Sequence, residues 1–307
     1  MIHIIYNYFL TREPSKKANK IILWLRWQIY KYLKKVLPHY YRNLSIQKLG
    51  INSRSEIVVS LTSYPERIPV IYLSIKSILY QSYRPSKVIL WLGLEQFPNQ
   101  EKDLPKSLLD LKEVGLEIEF CMDLKPHTKY YYVFKKYPKQ LIVTVDDDWF
   151  YPVEMLETLL EHHKKNPHCV IANRVREIEI TDGKFKVYRS WRINEIGHSL
   201  PSHTLLATGV GGVLYNPSWF DEQLFDVKNI KRLALNADDI WLKGNEVRCD
   251  IPVVFTNRYF SSFMEIPNSQ NKSLYSSNVF EGKNDTQIMD TFAFFGIDEK
   301  SFNRFVK

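Results

Sequence analysis

Cysteine is scarce in this 307-residue chain: Cys121, Cys169 and Cys249 are an odd number, far apart, with no CxxC spacing. That pattern argues against a zinc site or a disulfide framework and suits a reducing, cytosolic setting. Long apolar runs are lacking too. The apolar patches at 2–10 and 21–25 are short, Arg26 interrupts the second, and neither approaches the roughly 20 residues needed to span a bilayer. No small-residue cleavage pattern follows them. Acids are nearly absent from the first 48 residues, where ten Lys/Arg face only Glu13; this segment carries +9 of a formal total of +8, which leaves the rest at −1. A near-neutral body argues against nucleic acid as a partner. Internal repeats and low-complexity tracts are missing as well.

What is present divides into a basic segment and an α/β body. At this length the chain fits one large domain with appendages or two small ones. Ile21, Leu25, Ile29, Leu33 and Leu37 recur at helical spacing beside Trp24, Trp27, Tyr30 and Tyr32 and among lysines. A basic, aromatic-rich amphipathic helix suits an anionic membrane surface, and equally a helix docked on the main domain or on a second subunit. Residues 1–48 are expected as this segment, 49–55 as a linker, 56–265 as the main domain and 266–307 as a C-terminal loop and helix, with 268–284 rich in Asn, Ser and Lys.

The body alternates strand and helix. Strands are expected at 56–61, 87–92, 116–120, 141–145, 169–172, 177–180, 185–188 and 252–255, and helices at 68–80, 107–114, 129–136 and 152–165. Such alternation predicts a mostly parallel sheet.

The strand at 141–145 ends in three acids, Asp146-Asp147-Asp148. If the strand continued through them, Asp146 and Asp148 would share a face and converge on one point while Asp147 turned away. Two converging carboxylates suit Mg2+ or Mn2+, which take one or two protein carboxylates plus substrate phosphates. Capping of the following helix is the plainer alternative, but a cap needs one acid, and three neighbours repel unless a cation or hydrogen bonds offset them.

The order Ser60-Leu61-Thr62-Ser63-Tyr64-Pro65-Glu66-Arg67, Gln81-Ser82-Tyr83-Arg84-Pro85, Asp146-Asp147-Asp148, Gly211-Gly212-Val213-Leu214-Tyr215 and Ala237-Asp238-Asp239-Ile240-Trp241 resembles bacterial glycosyltransferases of the GT-A fold, in particular family-two-like surface-polysaccharide enzymes. The resemblance covers about residues 56–290. It implies a metal-dependent, inverting transferase that moves a sugar from a nucleotide-diphosphate donor, such as a UDP-sugar, to a glycan or lipid-linked acceptor for capsule or lipopolysaccharide. Its place would be the inner face of the cell membrane.

By the same resemblance Thr62, Ser63, Tyr64, Arg67 and Lys129 line the nucleotide and diphosphate site, and Asp147 lies beside them. Asp146 and Asp148 hold the metal, Asp239 is the base with Asp238 supporting it, and Gly211 and Gly212 let backbone approach the sugar. Independently, Arg67 offers a bidentate phosphate donor and Tyr64 a stacking face; an ordinary turn at 64–67 and a helix cap at 238–239 are the plainer readings. There are departures. No histidine follows His203 to serve as a third metal ligand. His162 and His163 suit a solvated helix end, Trp149, Trp191, Trp219 and Trp241 suit a sugar platform or the core, and His198 and His203 have no assigned role. A sugar nucleotidyltransferase is the alternative enzyme, although 60–67 contains no glycine for its phosphate loop; a non-catalytic carbohydrate- or membrane-binding scaffold is the alternative outside catalysis.

Overall fold

The computed structural model describes residues 5–6, 20–194, 200–258, 263–267, 269 and 283–303. The expectations for 2–10 fall almost wholly outside these residues, as do most of those for 268–284 and the whole of His198.

Seven strands build the central sheet: β1 (Ile57–Ser63), β2 (Lys87–Gly93), β3 (Leu116–Cys121), β4 (Leu141–Thr144), β5 (Val170–Ala172), β6 (Val213–Tyr215) and β7 (Val253–Phe255). Their spatial order is β7-β5-β6-β4-β1-β2-β3. All pairs are parallel except those of β6, which runs antiparallel to β4 and β5. The expected α/β, mostly parallel sheet is therefore the one found. Strands β1, β2 and β4 are almost continuous runs of aliphatic residues, and they are buried on both faces, as parallel strands flanked by helices must be. One core lies between the sheet and helices α2 (Ile68–Leu79) and α4 (Met155–Lys165); a second lies on the other face against α3 (Thr128–Lys136) and α5 (Asp238–Arg248).

Three expected elements differ. The strand expected at 185–188 is only Lys184–Phe185, with a 3-10 turn at Tyr188–Ser190. Residues 107–114 form one α-helical turn, Lys106–Leu109, followed by a 3-10 stretch, Asp110–Val114. Gly115 ends it at φ +109°, where a side chain would meet the Ile51 methyl groups, so the chain must turn sharply into β3. The strand expected at 177–180 is split. Val175–Glu177 pairs with Leu205–Ala207, whereas Ile180–Thr181 pairs with Lys184–Phe185 across Asp182-Gly183, both at positive φ as a two-residue hairpin requires.

Helix α1 (Lys20–Asn43) has two unlike halves. Leu33, Leu37 and Tyr41 enter the same core as β1 and α2, and the buried Lys76 ammonium donates to the Tyr41, Arg42 and Leu44 carbonyls, satisfying acceptors that a helix C-terminus leaves open. Ile21, Leu23, Trp24, Leu25 and Trp27 are instead about half exposed. Leu37→Ala is expected to cost about 2–5 kcal/mol in urea unfolding, whereas Trp24→Ala should stay within about 0.5 kcal/mol. Equal losses for the two would mean that the first half also packs on the body.

Candidate active site

A cavity of about 1090 Å³ opens beyond the carboxyl ends of β1 and β4 and is lined by nearly all the acids singled out above. Crevices of this kind follow from parallel strands whose connecting loops separate at their ends.

The aspartate triplet arrives there differently from a continued strand. Strand β4 stops at Thr144, and the acids sit in a turn that the Tyr151 hydroxyl closes by accepting from the Asp146 amide (2.8 Å) and donating to the Asp146 carbonyl (3.1 Å), just before Trp149–Phe150 pairs as a short strand with Met264–Glu265. Strand alternation therefore no longer applies. Asp147 does not turn away: it is buried, accepts from the Ser63 hydroxyl and pairs with Arg67. Asp148, also buried, pairs with the other arm of the same guanidinium at 2.9 Å. Asp146 points elsewhere, to Lys129 Nζ at 2.8 Å, and is the most exposed acid of the three.

Lys129 connects the two acid clusters, because its ammonium also lies 2.9 Å from Asp238 Oδ2. Burial alone would lower this lysine's pKa, but Asp146 and Asp238 outweigh it and hold the group above its ordinary value, fully charged. Arg67 follows the same pattern between Asp147 and Asp148. The backbone of 127–129 is fixed from two sides. The Ser60 hydroxyl donates to the Lys129 carbonyl, and His127 Nε2–H donates to the Ala234 carbonyl at 2.7 Å while Nδ1 accepts from Tyr130. Burial lowers the His127 pKa to about 4, so the ring is neutral and suited to these two roles.

Asp238 and Asp239 open helix α5, and the Ile240 amide donates to Asp239 Oδ1. Burial first, and then the neighbouring Asp238 charge, raise the Asp239 pKa to about 7. A carboxylate poised there can take a proton from an attacking group near neutral pH.

Thr62, Ser63, Tyr64 and Arg67 all line the cavity. The Thr62 hydroxyl is tied to the Trp91 carbonyl, and Arg67 also donates to the Ser269 carbonyl, drawing a piece of the C-terminal region over the site. Gly211 and Gly212 do not line it. Gly211 lies where a Cβ would strike Asn173, and Gly212 takes φ +82° against Met155, so both serve packing. The glycine at the site is Gly209, where a Cβ would stand 2.7 Å from Asp146 Oδ1 and 2.9 Å from Lys129 Nζ. Its place two residues before the glycine pair carried no separate signal. Sequence reasoning also passed over Arg174, Arg176, Thr208 and Asn236, which line the same cavity. The Gln81 motif is structural: Gln81 donates to the Pro152 carbonyl and accepts from the Leu156 amide, anchoring the start of α4. His162 and His163 lie in the last turn of α4, away from the cavity lining. Trp149 lines the cavity, whereas Trp191 and Trp241 are core residues.

No group of three or more His, Cys, Asp or Glu that could hold a metal occurs among the described residues. Asp146 and Asp148 do not converge as a continued strand would have brought them, because Arg67 holds Asp148 and Lys129 draws Asp146 away. A divalent ion would be held chiefly by Asp146, the more exposed of the two, with remaining ligands from phosphate and water. Divalent magnesium accepts this mode. With every group ionised, the lining carries eight carboxylates against five cationic side chains. An anionic phosphate ligand entering so negative a cavity gains from an added cation.

No family model matches the chain, and no curated protein matches it. Among solved structures it is similar to a mannosyltransferase from Pyrobaculum calidifontis in complex with GDP-Man and Mn2+, at 10% identity over 96% of this chain and 75% of that one, with a TM-score of 0.49. It is similar to S. aureus TarS at 11% identity, 78% and 72% coverage and a TM-score of 0.41. A likeness to CMP:2-keto-3-deoxy-manno-octonic acid synthetase complexed with CTP has 10% identity, 66% and 89% coverage and a TM-score of 0.39. At such identities and scores, the chemistry has to be argued from the cleft itself.

Lys129→Met would leave Asp146 and Asp238 facing each other without their shared counter-charge. The expected loss is about 3–5 kcal/mol, the usual cost of removing one partner from a buried ion pair, read by urea unfolding. Adding Asp146→Asn should recover part of it. Unchanged stability in the single variant would show that the ammonium does not hold the two acids together.

Proposed function

We propose that the chain is a glycosyltransferase that moves a sugar from a nucleotide-diphosphate donor, such as a UDP-sugar, to a glycan or lipid-linked acceptor with inversion, in the making of a surface polysaccharide. The observation that carries the reading is the joining of two acid clusters in one cleft, one suited to phosphate and cation, the other containing a carboxylate with a pKa of about 7. Tyr64 offers a face for the nucleotide base, and Arg67 and Lys129 bring positive charge to the diphosphate side. A divalent ion at Asp146, joined by Asp148 only if Arg67 turned to the diphosphate, would offset charge on the departing group. Asp239 takes the proton of the acceptor hydroxyl as its oxygen bonds to the anomeric carbon and the bond to the diphosphate oxygen breaks. Asp238, fixed by Lys129, keeps Asp239 from ionising too readily.

Two pH effects follow with opposite signs. The base works when deprotonated, so kcat/KM should rise with pH through about 7 and level off above it. The folded-state pKa lies above the unfolded value of 3.8, so Asp239's contribution to stability is full below that value and lost as pH rises through about 7. Asp239→Asn should lower transfer by roughly 10² to 10⁴-fold, abolish that limb of the profile, and make the melting temperature fall less between about pH 5 and about pH 8. NMR of the product should show the anomeric configuration opposite to the donor's. Retained configuration would overturn the base assignment.

The same proposal places the enzyme peripherally on the inner face of the cell membrane. Among the described residues no helix is long and apolar enough to cross a membrane. The exposed Ile21, Leu23, Trp24, Leu25 and Trp27 form an apolar patch beside Lys20, Arg26, Lys31, Lys34 and Lys35, the pairing of apolar surface and positive charge that binds anionic lipid. Liposome sedimentation should show binding that weakens with salt and with Trp24→Ala/Trp27→Ala. Equal partitioning of native and variant protein would leave the patch to another role.

A further inference from the structure

The cations that line the cleft differ in their counter-charges. Arg67, Lys125 and Lys129 each pair with aspartates. Arg176 lines the cavity at 3% exposure, yet no carboxylate is paired with it among the described residues. It stands on the strand Val175–Glu177, its guanidinium 4.5 Å from the centre of the Tyr188 ring. One terminal nitrogen reaches the Tyr188 and Trp191 carbonyls at 3.4 and 3.3 Å, both long. The Nε–H is buried and has no acceptor among the described residues. A guanidinium offers five N–H donors in a rigid fork, and a buried charge with no partner costs several kcal/mol. Holding the turn at 188–191 by two weak bonds explains neither the missing counter-charge nor the orphaned Nε–H.

The position narrows what the missing anion belongs to. Arg176 packs on the Tyr188 ring, and Tyr188 shares a buried cluster with Ala237 and Ile240, which flank Asp238 and Asp239 in the chain; this is the side of the cavity on which the proposed base would receive the acceptor. The residues assigned to the nucleotide, Thr62, Tyr64 and Arg67, come from the end of β1 and the loop after it.

We propose that Arg176 binds an oxyanion carried by the acceptor, a phosphate ester or a carboxylate, so that the enzyme glycosylates an anionic chain rather than a neutral sugar. This rests on the glycosyl-transfer reading, and it narrows the acceptor to molecules with a negative group near the reacting hydroxyl. The fork geometry suits either oxyanion through paired N–H donors.

The test is calorimetric titration of the full-length protein with inorganic phosphate and, separately, with glucuronate, each in the presence of saturating UDP or GDP, whichever the native protein binds. One of the two anions should bind alongside the nucleotide, and the better one identifies the source of the charge. Arg176→Gln should weaken that anion by about tenfold or more with nucleotide affinity unchanged, and Arg176→Lys should restore part of it. Failure of both anions to bind native protein alongside the nucleotide would overturn the proposal, an arm that needs no variant. So would Arg176→Gln weakening the nucleotide instead of the anion, which would give the arginine to the donor diphosphate. Nucleotide binding without anion binding defeats this inference alone; absence of nucleotide binding defeats the transferase reading.

Discussion

A single ammonium group, buried between two carboxylates that lie more than 90 residues apart in the chain, organises the cleft. Lys129 Nζ sits 2.8 Å from Asp146 and 2.9 Å from Asp238, so the loop after β4 and the start of α5 cannot separate without leaving a largely buried charge unpaired. Much of the surrounding structure keeps that lysine in place. Ser60 holds its carbonyl, His127 ties its helix to Ala234, and Gly209 leaves the space its ammonium and Asp146 need. Arg67 repeats the device between Asp147 and Asp148. Two cations thus make a cluster of five acids tolerable while leaving the cavity negative enough to welcome a further positive charge.

That arrangement divides labour among acids that look alike in sequence. Asp147 is spent on Ser63 and Arg67 and serves the scaffold. Asp146 faces the cavity, and Asp239 is pushed by burial and by Asp238 to a pKa of about 7. Environment, not residue type, sets these acids apart, and on the proposed reading that is how one cleft would combine phosphate binding with proton transfer.

The fold was legible where its signal was local. Aliphatic runs such as Ile57–Ser63 and the 3.6-residue spacing of α2 carry their own structure, and the acid triplet and Asp238-Asp239 advertised a site. What could not be read was any relation set by distant partners. Nothing near Asp147 says that Arg67 will claim it, because the strand ends one residue short of Val145 and the alternation that favoured Asp146 and Asp148 stops with it. Gly211 and Gly212 drew attention as a pair, yet their reasons are Asn173 and Met155, while Gly209 has the site as its neighbour. Arg176 is one arginine among many in sequence; its burial with no paired carboxylate among the described residues makes it conspicuous.

The most direct measurement is calorimetric titration of the native protein with a panel of nucleotide-diphosphate sugars, in Mn2+ and again in excess chelator. A negative cleft whose Arg67 and Lys129 are already engaged by aspartates should bind one member of the panel with Mn2+ present, and at least about tenfold more weakly without it. Failure of every nucleotide sugar to bind in Mn2+, or binding of equal strength in chelator, would contradict the account of the cleft as a cation-assisted donor site.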